Sequence, residues 1–370
     1  TTEIYTLSLH DALPICFAGS NLALHLRAEF PDGKIVALDN LKRRGSELNL
    51  PRLAAHGVDF RHGDVRATED LAAIGPVDIL IEASAEPSVH AGQDGSPGYL
   101  INSNLAGAIN CFDHARLCGA DVIFLSSSRV YPIGALNALP LIETGQRLDL
   151  PNDARSTGWS TEGISTEFPL TGHRSLYGAT KLSAELMLEE YRQSYGVQTV
   201  INRFGVLAGP WQMGKVDQGF IALWAARHLF GGELNYLGFG GKGHQVRDVL
   251  HIDDMCRIIS CQINNIDDLS GRTFNVGGGA GNSLSLAELT AKCRDILGRE
   301  IPIKPVAETA PVDIPWYVTD NREVTAATGW QPEKNIDQLL GDVFTWLDGH
   351  KEQLEPYFAA VPSQKRQNQA

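Results

Sequence analysis

The chain has 370 residues, 43% hydrophobic and 20% charged, with a formal net charge of −13. This suits one large α/β unit or two domains sharing a core, and the acidic balance argues against a nucleic-acid partner. No apolar run approaches the roughly 18 residues of a membrane span, and Cys16, Cys111, Cys118, Cys256, Cys261 and Cys293 lack C-x-x-C spacing, so they read as free thiols in a reducing cytoplasm.

Residues 1–15, "TTEIYTLSLHDALPI", have neither the basic start nor the long apolar stretch of a secretory signal. They look like a translated sequencing-adapter read and are expected not to be the native start. "FAGSNLALHLRAEF" then reads as the opening of a dinucleotide-binding unit, with Gly19 at a helix start and Asp39 ending "KIVALD". In a G-x-x-G-x-x-G loop the glycines allow a tight turn, backbone approach to a pyrophosphate, and close helix–strand packing. Only the third, Gly19, is present. Leu13 and Cys16 stand in the other places, and Pro14 removes an N–H donor. The expectation is that a lost strand and G-x-x-G preceded "FAGS".

"KIVALD", "VDFRHGD", "VDILIEA", "DVIFLSSS" and "QTVINRF" read as short buried strands. Between them, Leu22 to Phe30, Tyr99 to Leu117 and Leu176 to Tyr195 show helical spacing. The alternation predicts a doubly wound, Rossmann-type parallel sheet with right-handed crossovers and a smaller C-terminal α/β substrate lobe. The first domain is expected over 1–206 plus 246–270, and the lobe over 207–245 plus 271–350. Residues 351–370 read as a polar tail, and its end, "PSQKRQNQA", is expected to be disordered.

In such sheets ligands bind beyond the carboxyl ends of the strands. Asp39 would accept hydrogen bonds from the ribose hydroxyls of NAD. Asp64, ending the next strand, would face the adenine amine, with Asn40, Val65 and Ala83 on the same edge. Arg43 and Arg44 leave NADP open. In "RSLYGATKLSAE", Tyr177 and Lys181 lie four apart at the head of a helix and so share a face. An ammonium beside a phenol favours the phenolate, a usable general base. "VIFLSSSRVY" runs a buried strand into three serines at the same sheet edge. His244, His251, Asp253 and Asp254 match no metal-ligand spacing, so no metal is expected. "HIDDM" reads as a helix start, and "SLSLAEL" as a capped one. Trp211, Trp224, Trp316 and Trp330 read as core or lobe-interface residues, Trp211 with the option of lining a sugar pocket.

The acid-ended second strand, "GDVR", "SAEPSV", "NSNLAGAIN", "SSSRVY" and "YGATK" occur in an order that resembles the extended short-chain dehydrogenase/reductase family, with its nucleotide-sugar epimerases and dehydratases. "GPWQMGKVDQG", "GKGHQVRDVLHIDDM", "RTFNVGGGAGNSLSL" and "GWQP" resemble the CDP-paratose 2-epimerase-like branch. The resemblance implies NAD as cofactor, Ser127 as catalytic hydroxyl, Tyr177 as base and Lys181 on the nicotinamide ribose. Asn104 would support the cofactor side, Arg247 the substrate diphosphate, Gln218 the sugar and Asp313 the nucleoside ribose. Ala310 stands where relatives carry an arginine partner to that carboxylate. Ser128 and Arg129 occupy the positions of the acids that dehydratases use to eliminate water, which disfavours dehydration. The implied reaction is epimerisation of a nucleotide sugar through a keto-sugar, by a homo-oligomer paired through the helix bearing Tyr177 and Lys181. Two other readings stay open: an NAD(P)-dependent nucleotide-sugar oxidoreductase, and a non-catalytic nucleotide-binding protein of the same fold.

Overall fold

The computed structural model describes residues 3–7 (backbone alone), 17–90, 96–214 and 219–358. The Val/Ile-rich runs form a seven-stranded sheet with every neighbouring pair parallel. In chain order its elements are β1 (Glu3–Leu7), α1 (Ala18–Glu29), β2 (Lys34–Asp39), β3 (Asp59–His62), β4 (Ile79–Glu82), α2 (Gly107–Cys118), β5 (Asp121–Ser127), α3 (Leu176–Tyr195) and β6 (Thr199–Phe204). The chain then builds β7 (Val206–Ala208), α4 (Phe220–Phe230), β8 (Leu234–Leu237), β9 (Val246–His251) and α5 (Ile252–Asn264). It closes with β10 (Arg272–Val276), β11 (Ser283–Ser285), α6 (Leu286–Leu297), β12 (Ile303–Val306), β13 (Trp316–Tyr317), α7 (Arg322–Thr328), α8 (Ile336–Gly349) and α9 (Lys351–Phe358).

The strand order is β10-β6-β5-β4-β1-β2-β3, so the order reverses beside β1, where such sheets open a ligand crevice. Alternate side chains serve opposite faces. Ile35, Ala37, Ile79 and Ile123 pack with Leu22 and Leu26 of α1 and Ile258 and Ile259 of α5. Val36, Leu38, Leu80 and Phe124 pack with Phe112 of α2 and Ala184 and Leu188 of α3. Both faces are covered, which is why the strands read as continuous apolar runs.

Two strands of the main sheet escaped the sequence reading. Glu3–Leu7 pairs with both β2 and β4 and so takes an inner place in the sheet, in the segment expected to be foreign to the fold. Residues 8–16, with Leu13, Pro14 and Cys16, lie outside the described residues. β10 pairs with β6 in the main sheet, although 271–350 was assigned to the smaller lobe. Conversely β9, assigned to the first domain, pairs with β7, β11 and β13 in a separate sheet. Val324 and Trp330 join the first core. The chain therefore crosses between lobes more often than the expected boundaries allow. Strand pairing decides this, and local pattern does not report it. The expected polar tail also begins as a helix: α9 buries Leu354 and Phe358 against α4 and α8. Residues 359–370 lie outside the described residues.

The local signals were better guides at helix ends. Ser285 and Glu288 form a reciprocal capping box on α6. Asp253 and Asp254 occupy the first turn of α5. The His251 ring accepts from the Asp253 N–H, and His244 pairs with Glu143.

Candidate active site

Two features of the sequence bring the catalytic candidates together. β5 ends at Ser127, and the chain turns at once, with the Ser127 Oγ accepting the Arg129 N–H at 3.1 Å. The head of α3 is fixed by Ser175, whose Oγ accepts from the Gly178 N–H at 3.2 Å. A Cβ at Gly178 would stand 2.1 Å from the Arg129 carbonyl oxygen. Only glycine lets the helix start sit against the serine turn. Tyr177 and Lys181 thus line one cavity of about 520 Å³ with Ser127, Ala83, Arg247 and Asp313.

The three serines separate by geometry. Ser126 donates to Glu185, which is itself paired with Arg203 in a buried network reaching Tyr131. All three line the cavity, but only Ser126 is tied into that network. Tyr177 is 8% exposed and Lys181 2% exposed. The Lys181 Nζ donates to the Leu125 carbonyl at 2.9 Å and the Ser84 carbonyl at 3.2 Å, and lies 3.5 Å from Glu82 Oε2. Glu82 is fully buried. Its Oε1 accepts from the Ser84 N–H and hydroxyl, while its Oε2 has no hydrogen bond.

On the opposite wall Arg247 donates to the Val246 and Ile314 carbonyls, each at 2.7 Å. Burial, with the Arg129 guanidinium beside it, lowers Arg247 to about 9, so it stays charged at neutral pH. Burial also lowers Arg129, against the charges of Asp313 and Tyr177. Arg227 lines the same cavity, with a buried Nη1 that has no hydrogen-bond partner.

At the other end of the sheet edge, Asp39 is 3% exposed and accepts from the Leu41 N–H. Asn40 donates to Asp64 at 3.1 Å, and Asp64 pairs with Arg66. Gly19 is buried in the first turn of α1. Asn104 is fully buried. Its amide accepts from the Glu86 N–H and donates to the Glu86 carbonyl, so it shapes the segment after β4 rather than offering its own polar atoms. Val65 is fully buried against Gly107 and its carbonyl accepts from Asn110, which makes it a packing residue here. Arg43 donates to the Met213 carbonyl and Arg44 lies over the Tyr357 ring, so both contact the second lobe. Trp211 stacks on Arg52 and packs by Trp346 and His350, away from the cavity, whereas Trp224 lines it. Gln218 lies outside the described residues.

A parallel sheet of this order, with an acid ending its second strand and a Ser, Tyr and Lys set in the adjoining cleft, defines a nucleotide-dependent oxidoreductase-type enzyme. The comparisons with known proteins agree. The chain belongs to the NAD dependent epimerase/dehydratase family, whose model matches residues 16–277, and it is an extended short-chain dehydrogenase/reductase. It is 28% identical to the CDP-paratose 2-epimerase of Salmonella typhi over 347 residues, covering 89% of this chain and 96% of that protein. A probable UDP-glucuronate 4-epimerase of Rhizobium meliloti is 24% identical over 303 residues, covering 77% and 79% respectively. Among solved structures, DesIV, a dTDP-glucose 4,6-dehydratase from Streptomyces venezuelae with NAD bound, superposes with a TM-score of 0.76 at 26% identity, covering 96% of this chain and 100% of that one. The cofactor is NAD. The residues present fit it: a buried carboxylate ends β2, and a buried ammonium reaches the cleft between β4 and β5.

The sequence reading passed over Glu82 and Arg227, and took Arg129 only as unable to eliminate water. Glu82 had a signal, an acid inside the apolar run "VDILIEA". So had Arg227, a cation on the apolar helix "FIALWAARHLF". Neither pattern says what the charge faces.

Proposed function

We propose that the protein epimerises a nucleotide-diphosphate sugar of the kind used by CDP-paratose 2-epimerases, by transient oxidation to a keto-sugar. The observation that carries this reading is the single cavity shared by Ser127, Tyr177 and Lys181 on one side and Arg247 and Asp313 on the other. Tyr177, as phenolate, takes the proton of one sugar hydroxyl. The Ser127 hydroxyl, whose oxygen already accepts from Arg129, has its hydrogen free to hold that same sugar oxygen. Lys181, fixed by two carbonyls and Glu82, steadies the phenolate and reaches the nicotinamide ribose. NAD, when bound, accepts hydride from the sugar carbon and returns it to the opposite face. Arg247 holds the diphosphate, Asp313 the nucleoside ribose and Gln218 the sugar. Asp39, Asn40 and Asp64 hold the adenosine half of the cofactor, with Gly19 at its pyrophosphate and Ala83 beside it; Val65 and Asn104 shape that wall. Ser128 and Arg129 supply no acid for dehydration.

Pairing of two copies through α2 and α3 is part of this proposal. Leu117, Leu186 and Tyr195 on those helices are 69%, 64% and 59% exposed. Cys111, Cys118, Cys256, Cys261 and Cys293 are free thiols, which suits work in the cytoplasm. Incubation of the purified protein with CDP-, UDP- and dTDP-sugars tests the function, read by mass spectrometry and NMR. An epimer of unchanged mass, with no net reduced nicotinamide, is expected. Net reduction of NAD would replace this reading with a dehydrogenase, and loss of water with a dehydratase.

A further inference from the structure

Leu41, two residues after Asp39, and Trp211 of the second lobe hold left-handed backbone angles, with φ of 54° and 72°. Such angles are strained for bulky residues and persist only where the surroundings impose them. The surroundings here are contacts between the lobes. The Arg52 guanidinium lies 4.1 Å over the Trp211 ring, which packs beside Trp346 and His350. Arg52 is half-buried, which strengthens such a cation–π contact. It donates to Asn49 at 2.7 Å and to Asn21 at 2.9 Å, and Asn21 of α1 donates to the Pro210 carbonyl at 3.3 Å. Leu48 packs against the lobe core. Glu47 uses both oxygens. Its Oε2 accepts the Gly45 N–H at 2.7 Å, and its Oε1 accepts the hydroxyl of Tyr357 on α9 at 3.0 Å. Arg44 lies 4.9 Å from the centre of the Tyr357 ring. The Leu41 N–H donates to Asp39, so the path of this segment sets where that carboxylate points.

We propose that Arg52 with Trp211, and Glu47 with Tyr357, form a clasp by which the second lobe holds residues 41–52 in place and so keeps NAD from exchanging between turnovers. These are positioning residues. They lie outside the cavity lining and act on the cofactor through Asp39. The inference rests on the reading of Asp39 as the carboxylate that holds the adenosine ribose. Breaking a contact of the clasp lets Leu41 relax towards ordinary backbone angles and turns that carboxylate. An enzyme that oxidises and then reduces the same substrate gains from a cofactor that stays, because loss of the reduced form strands the keto-sugar. On this account α9 has a function besides covering α4 and α8: it is one of the lobe's handles on the cofactor segment.

The test loads the protein with isotopically labelled NAD and follows its exchange against excess unlabelled NAD. Arg52→Gln is expected to speed exchange about fivefold, and Tyr357→Phe, which removes only the hydroxyl, about twofold. Arg52→Lys keeps a cation over Trp211 and should restore part of the retention. Hydrogen–deuterium exchange of the backbone amides of residues 40–48 should rise in step in the same NAD-loaded variants. Thermal unfolding separates retention from stability: a lower unfolding temperature with wild-type NAD exchange makes the contacts merely structural and overturns the clasp. Should Arg52→Gln not fold, Tyr357→Phe and Glu47→Gln decide the matter. Asp39→Asn tests the supporting reading. Wild-type NAD exchange in that variant removes the carboxylate from the cofactor, and with it the route by which the clasp acts. Faster exchange in Asp39→Asn, together with wild-type exchange in Arg52→Gln and Tyr357→Phe, overturns the clasp alone.

Discussion

The two walls of the cavity hold their positive charge in opposite ways. On the sheet side, the Lys181 ammonium is matched within the protein by Glu82 and two carbonyls. Across the cavity, Arg247 on the lobe side and Arg129 on the turn after β5 are held by backbone carbonyls with one nearby carboxylate, and burial lowers both, Arg247 further through the Arg129 charge. A matched charge serves permanent architecture, because a buried ion without a partner is costly. An unmatched pair is tolerated where an anionic ligand completes it. In the proposed scheme the Lys181 side serves the chemistry and the arginines hold substrate.

The comparison can be broken at its strongest point first. Tyr177→Phe is expected to cut turnover by about 10²–10⁴-fold while diphosphate binding to the other wall persists. Wild-type turnover in steady-state assays would remove the base from the scheme. Glu82→Gln leaves the Lys181 ammonium unmatched and should destabilise the fold by about 3–5 kcal/mol in urea titrations. A loss under about 1 kcal/mol would mean that the pair at 3.5 Å is not a functional ion pair. Arg247→Gln is expected to weaken diphosphate binding by about 1.5–3 kcal/mol with stability little changed, since its charge is not needed by the protein itself.

A further effect concerns pH. Asp248 follows Arg247 on β9, is fully buried, and burial raises its carboxyl to about 6 against 3.8 ordinarily. Since the folded state favours the protonated form, its stability contribution is full below about pH 4 and is lost as pH rises through about 6. The size is about 3 kcal/mol. Asp121, half-buried, is raised to about 6 by burial and by Asp267 and Asp78, and adds less in the same direction. Asp248→Asn should flatten stability between about pH 4 and 6, as measured by thermal unfolding across that range. Leu186→Glu is expected to leave the cavity untouched and shift a dimer towards monomer in light scattering; an unchanged mass would exclude α3 from the interface.

The catalytic side was legible because it is local. Tyr177 and Lys181 are one helical turn apart, so their common face follows from helix geometry alone. The three serines follow from a buried strand ending in polar residues, and the family resemblance singles out Ser127 among them. Asp39 is read the same way. The lobe side was less legible. Arg129, Arg227 and Arg247 come from a turn, a helix and a strand far apart in the chain, and a cation in an amphipathic segment is most simply read as solvated. Asn104 and Val65 were expected on the cofactor side, but what their polar atoms meet, the Glu86 and Asn110 groups, is set by contacts between distant segments that no periodicity reports.

By itself the sequence determined the alternation of strand and helix, hence a parallel sheet and a ligand crevice at its carboxyl edge, because side-chain period and crossover handedness act over a few residues at a time. Only the tertiary structure decided that Glu3–Leu7 takes an inner place in the sheet, that β9 and β10 exchange lobes, and that Glu82 neutralises Lys181 while the Arg129 charge acts on Arg247. Strand order and charge pairing are contacts between distant segments, set by burial and desolvation of the assembled chain.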